Sequence, residues 1–110
     1  MAKKHNKKLA IVRQWNQYIQ DGALENWQRL LKDLGLEGEF RSKNQCRKAL
    51  KKIWVNIYDF LEAVKVGKPV PRFKTEAELS HYTLRTDRVF PKKHITKGSP
   101  LANLMAHIVG

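Results

Sequence analysis

Acidic residues, cysteine and long apolar runs are all in short supply in this chain. Its 110 residues hold 10 Asp+Glu against 22 Lys+Arg, a formal net charge of +12. With one cysteine, Cys46, it has no internal disulfide and no zinc site built on several thiolates. No apolar run approaches the ~20 residues of a membrane span. The opening Met1-Ala-Lys-Lys-His-Asn-Lys-Lys8 is basic, but the apolar stretch of a signal peptide does not follow it. The expectation is an intracellular protein, nuclear or cytoplasmic. Sequence motifs for catalysis are missing too: no H-E-x-x-H, no glycine-rich phosphate loop, and four scattered histidines without the spacing of a helical metal pair.

What is abundant is positive charge, and it comes in blocks. Lys3, Lys4, Lys7, Lys8 and Arg13 precede any acid. Arg41, Lys43, Arg47, Lys48, Lys51 and Lys52 form a second block without an acid among them, and Arg88, Lys92, Lys93 and Lys97 a third with none after Asp87. Such segregation produces a surface potential that attracts polyanions. A 42% hydrophobic content nevertheless supplies enough material for a packed core, and this length suits one domain.

Apolar spacing predicts helices. From about Lys7 to Gln20, Ile11, Val12, Trp15, Tyr18 and Ile19 share one face. A second helix, capped by Asp21, aligns Leu24, Trp27, Leu30, Leu31 and Leu34, and Gly35 suits the left-handed position that ends it, with Leu36 folding back on Leu31. Ser42-Lys-Asn-Gln45 reads as a capping box. It opens what the pattern predicts to be the longest helix, about Lys43 to Val66, closed by Gly67 and Pro69. Cys46, Ala49, Leu50, Ile53, Ile57, Phe60, Leu61 and Val64 would line its core face.

Lys68-Pro-Val-Pro-Arg72 reads as an extended connector. Thr75-Glu-Ala-Glu78 is a second capping box, opening a short helix with Leu79 and Tyr82 inward. A helical turn is expected after Pro91. A last helix, capped at Ser99 with Pro100 behind it, would bury Leu101, Leu104, Met105 and Ile108. The expectation is therefore all-α: a compact bundle of about five helices around one long central helix, about 43–66. Residues 1–8 would form a flexible basic arm and 9–110 a single helical domain.

Trp27 with Asp33-Leu-Gly-Leu36, Gln45-Cys-Arg-Lys-Ala-Leu50, Asn56-Ile-Tyr-Asp-Phe60, Tyr82-Thr83, Phe90-Pro-Lys92 and Gly98-Ser-Pro-Leu101 resemble stretches of a family of short, functionally uncharacterised proteins of filamentous fungi. The resemblance implies a fungal, intracellular origin. It implies no activity, cofactor or site residue.

Candidate chemistry is thin. Cys46, beside Arg47 and Lys48, has neighbours that depress a thiol pKa, but it falls on the apolar stripe, where a cysteine is a small buried side chain. Asp59 and Glu62 share a helix face, which reads as solvated with Lys52, Lys65 and Lys68 for neighbours. No metal, cofactor or catalytic residue is expected.

The basic face of the predicted long helix is the stronger candidate. Arg41, Lys43, Arg47 and Lys48 would crowd the helix's positive end, against the preference of the helix dipole, which is worth ~0.3–1 kcal/mol per exposed group. Bound phosphate would compensate. On this reading Arg41, Lys43, Arg47, Lys48, Lys51 and Lys52 contact nucleic-acid phosphates without strong sequence preference. Tyr58, close to that face on the wheel, stacks on an unpaired base, and Lys3, Lys4, Lys7 and Lys8 add affinity as an arm. The alternative is an adaptor whose basic surface meets an acidic protein or anionic lipid headgroups.

Overall fold

In the computed structural model, residues 2–91, 94 and 95 are described, with side chains from Leu9 onward. The chain forms five α-helices among these residues: α1 (Ala2–Ile19), α2 (Leu24–Asp33), α3 (Lys43–Leu50), α4 (Ile57–Val66) and α5 (Glu76–Thr86). The bundle is all-α. No described helix is long and apolar enough to cross a membrane. The last helix expected from the sequence, from Ser99 onward, lies outside the described residues. Helix α1 begins at Ala2 rather than at about Lys7, so the backbone of residues 2–8 is helical.

Both capping boxes form, each with a small displacement. The Ser42 hydroxyl accepts from the Gln45 backbone N–H at 3.2 Å, and Gln45 Oε1 accepts from the N–H of Arg41, one residue before the cap, at 2.6 Å. Thr75 and Glu78 repeat the pattern with Lys74. Asp21 does not cap α2 itself. Its carboxylate accepts from Ala23 N–H and the Asn26 side chain instead, an Asx turn that leads into the helix. Gly35, at φ 84°, closes α2 as expected: Leu36 N–H reaches back to Leu31 O at 3.0 Å and Gly35 N–H to Lys32 O at 2.9 Å.

The long central helix is not continuous. Helix α3 stops at Leu50, and residues 51–56 belong to neither helix before α4 begins at Ile57. Local chemistry supports the break. Ile53 and Val55 are β-branched, which disfavours helix slightly, and Asn56 prefers a cap to a helix interior. Asn56 here caps α4, its Oδ1 accepting from Asp59 N–H at 3.3 Å. Tertiary packing completes the explanation. On a continuous helix Val55 and Asn56 would lie off the core stripe, yet both are buried. Trp54 pairs with Phe73 in an isolated antiparallel bridge, with Phe73 N–H donating to Trp54 O at 2.9 Å.

One cluster forms the core. It takes Ile11, Trp15 and Ile19 from α1, Trp27, Leu30 and Leu31 from α2 with Leu34 just past its end, and Cys46 and Leu50 from α3. Ile53 and Val55 enter it from the break, and Ile57, Phe60 and Leu61 from α4. Phe90 closes it from beyond α5, and Leu79 of α5 is fully buried. Trp27 satisfies its indole N–H on the Gly22 carbonyl at 3.0 Å, as buried indoles usually do.

Candidate nucleic-acid interface

The break in the helix rewrites the electrostatics of the basic block. With α3 ending at Leu50, Arg47 and Lys48 fall in its last turn, where the dipole favours cations. Only Arg41 and Lys43 remain at the positive end, so the opposition to the dipole expected from the sequence is halved. Arg41 also pairs with Glu39 at 2.8 Å, both side chains well exposed, a contact worth little in water. The capping box occupies the Gln45 N–H as well, which leaves fewer free donors for an anion at this terminus.

Arg47 is half-buried. Its guanidinium carbon lies 5.0 Å from the Trp27 ring centroid, and it donates to Asn44 Oδ1 at 2.9 Å. Arg47 thus helps hold α3 against α2, a structural task the helical wheel could not show because it has no neighbouring helix on it. Lys43, Lys48, Lys51 and Lys52 differ. All four are exposed, and none has an ion-pair partner among the described residues.

Tyr58 belongs to α4, on the far side of the break, so the continuous wheel that set it beside the α3 lysines does not apply. Its half-buried ring packs against the core, and its hydroxyl lies 3.5 Å from Val89 O. Burial pushes its pKa up, with the Asp87 charge adding and Arg88 opposing. A ring held this way is a poor free stacking surface. Lys3, Lys4, Lys7 and Lys8 lie on the opening turns of α1.

The fold adds cations that the sequence did not place. The connector after α4 carries Lys68, Arg72 and Lys74, all exposed. Antiparallel partners sit ~4.5–5.5 Å apart between Cα atoms, so the Trp54–Phe73 bridge sets Lys74 opposite Ile53, next to the Lys51-Lys52 turn, and Arg72 opposite Val55, on the side away from that turn. The sequence signalled an extended, basic connector but not its pairing partner, which is a property of the tertiary fold. Two acids qualify the charge here. Glu76 and Glu78 open α5, and Glu78 is held to the Lys74 backbone at 3.2 Å.

Asp59 and Glu62 also find a partner the sequence reading did not name. Arg88 donates to Asp59 at 2.6 Å and lies 3.4 Å from Glu62, replacing the lysine neighbours expected for this face. Cys46 is fully buried, and burial pushes its thiol pKa up while the Arg47 charge opposes. No group of three or more potential metal ligands occurs among the described residues. An open cleft of about 360 Å³ lies between α2 and the following loop, lined by Gln28, Lys32, Leu36 and Phe40 among others. It contains no histidine or cysteine, and its one acid, Glu39, is paired with Arg41.

Comparison with protein-family models, with curated proteins and with solved structures gives no match, so the chain's own residues carry the functional argument.

Proposed function

We propose that this is an intracellular nucleic-acid-binding protein that contacts phosphates through the exposed lysines of α3 and the turn after it, without strong sequence preference. One observation carries the reading. Lys43, Lys48, Lys51 and Lys52 stand exposed within a single short segment with no ion-pair partner among the described residues, and the Trp54–Phe73 bridge sets Lys74 next to the turn that carries Lys51 and Lys52. Unpaired cations cost a small domain self-repulsion, which a polyanion removes. Because phosphate contacts position without specifying sequence, binding of this kind is general rather than selective. The lysines of α1 extend the positive field, and Arg47 serves mainly to hold α3 in place.

The test is a salt titration. Affinity for nucleic acid should fall linearly with log salt, each phosphate contact adding ~0.7–0.9 to the slope. Lys48→Glu/Lys51→Glu should flatten the slope and weaken binding evenly across sequences. Both side chains are exposed, so the fold should survive the change. Absence of binding by wild type at low salt, or an unchanged slope in the variant, would transfer the basic surface to an acidic protein or a lipid headgroup.

A further inference from the structure

The Trp54–Phe73 bridge also builds an aromatic row. Trp54 and Phe73, directly opposed in an antiparallel pair, project side by side on one face. The Phe73 and Tyr82 rings lie 5.1 Å apart between centroids with an interplanar angle of 41°. All three aromatics are half-buried rather than sealed in the core. The nearby Asp59 carboxylate, with burial, raises the Tyr82 hydroxyl pKa. Arg85 sits over that ring at 5.9 Å from the centroid.

We infer that Phe73 and Tyr82 form a stacking platform for unpaired bases, and that the nucleic acid held by the α3 lysines is single-stranded. This rests on the phosphate-binding reading above and adds the strand preference to it. Aromatic faces beside a basic track are what sequence-tolerant single-strand binding requires, because every base has a π-face whereas a duplex hides its faces in the stack. Glu76 and Glu78 make the local charge mixed, so this patch acts through stacking while Lys48, Lys51 and Lys52 supply the phosphate contacts. Arg85 joins the platform as a third planar group that stacks on bases. Tyr58, packed against the core beside Val89, has no part in it.

The experiment compares the full chain with four variants, Phe73→Leu, Tyr82→Leu, Tyr82→Phe and Lys48→Glu/Lys51→Glu, against an oligothymidylate and a duplex of equal length at low salt. Wild type should bind the single strand more tightly. Each Leu variant should lose about tenfold on the single strand, the scale of one stacked base, and keep its duplex affinity. Tyr82→Phe, which retains the ring, should match wild type. Equal wild-type affinity for both forms, or Leu variants that bind single strands like wild type, overturns the platform while leaving the lysine reading intact. Loss confined to the Leu variants, with Lys48→Glu/Lys51→Glu unaffected, overturns the lysine reading and keeps the platform. No binding by wild type overturns both. Circular dichroism verifies each fold, and if Phe73→Leu does not fold, the Tyr82→Leu and Tyr82→Phe pair decides.

Discussion

Asn56 and Thr83, 27 residues apart in sequence, are joined by a buried hydrogen bond from the Asn56 amide to the Thr83 hydroxyl at 3.2 Å. The same amide donates to the Arg88 carbonyl at 3.0 Å, and its oxygen caps α4. One side chain therefore fixes the start of α4, the middle of α5 and the segment beyond it. Asn56→Ala should cost ~2–4 kcal/mol, combining a lost cap of ~1 with buried groups left unsatisfied at ~1–3. Denaturant melts of both single variants and of Asn56→Ala/Thr83→Ala give the coupling, expected at ~0.5–1.5 kcal/mol. Full additivity would show that the two residues act independently.

Ile57 and Val66 stand at opposite ends of α4 with opposite burial, 2% and 62% exposed. Ile57→Ala should destabilise by ~2–5 kcal/mol, the range for emptying an aliphatic core site. Val66→Ala should stay within ~0.5 kcal/mol. Comparable losses at the two sites in urea melts would mean the core face of α4 is misassigned.

Arg47 and Lys48 are sequence neighbours with different tasks. Arg47→Ala removes the contact with the Trp27 ring and the bond to Asn44, and should cost ~1 kcal/mol more than Lys48→Ala, the scale of a partly desolvated cation–π contact. Nucleic-acid affinity should rank the other way, falling more for Lys48→Ala once both proteins are measured below their melting temperatures. Equal stabilities would place Arg47 with the solvated lysines.

Tyr18 gives the fold an alkaline limit. Its hydroxyl donates to Asp33 at 2.6 Å, while Arg29 covers its ring at 4.4 Å and donates to its carbonyl. Burial pushes the Tyr18 pKa above its ordinary 10.0; the hydrogen bond to Asp33 adds, and Arg29 opposes. A pKa raised on folding means that the folded state holds the proton more tightly. This contribution is complete below the unfolded value of 10.0 and is lost as pH climbs beyond it. The stability difference between wild type and Tyr18→Phe should therefore be flat at neutral pH and move against wild type above pH ~10. A difference that stays constant through that range would place the hydroxyl in water.

Sequence alone determined the features whose causes are local. The Ser42 and Thr75 caps, the Gly35 termination of α2 and the apolar stripes of α1 and α2 each depend on residues within a turn or two of one another. Short-range hydrogen bonds and helical periodicity enforce such features wherever the chain folds. The net charge and its division into blocks were equally legible, being composition. The break after Leu50 was not. A 3.6-residue pattern runs through positions 46–64 and favours one helix, whereas burying Val55, pairing Trp54 with Phe73 and joining Asn56 to Thr83 require two, and those partners lie 19 and 27 residues downstream. Tertiary structure therefore decided the candidate site. It turned Arg47 inward onto Trp27, took Tyr58 away to Val89, and brought Phe73 and Lys74 beside the turn that follows α3, because long-range packing sets what a helical wheel leaves undefined: which residue of another segment stands next to each side chain.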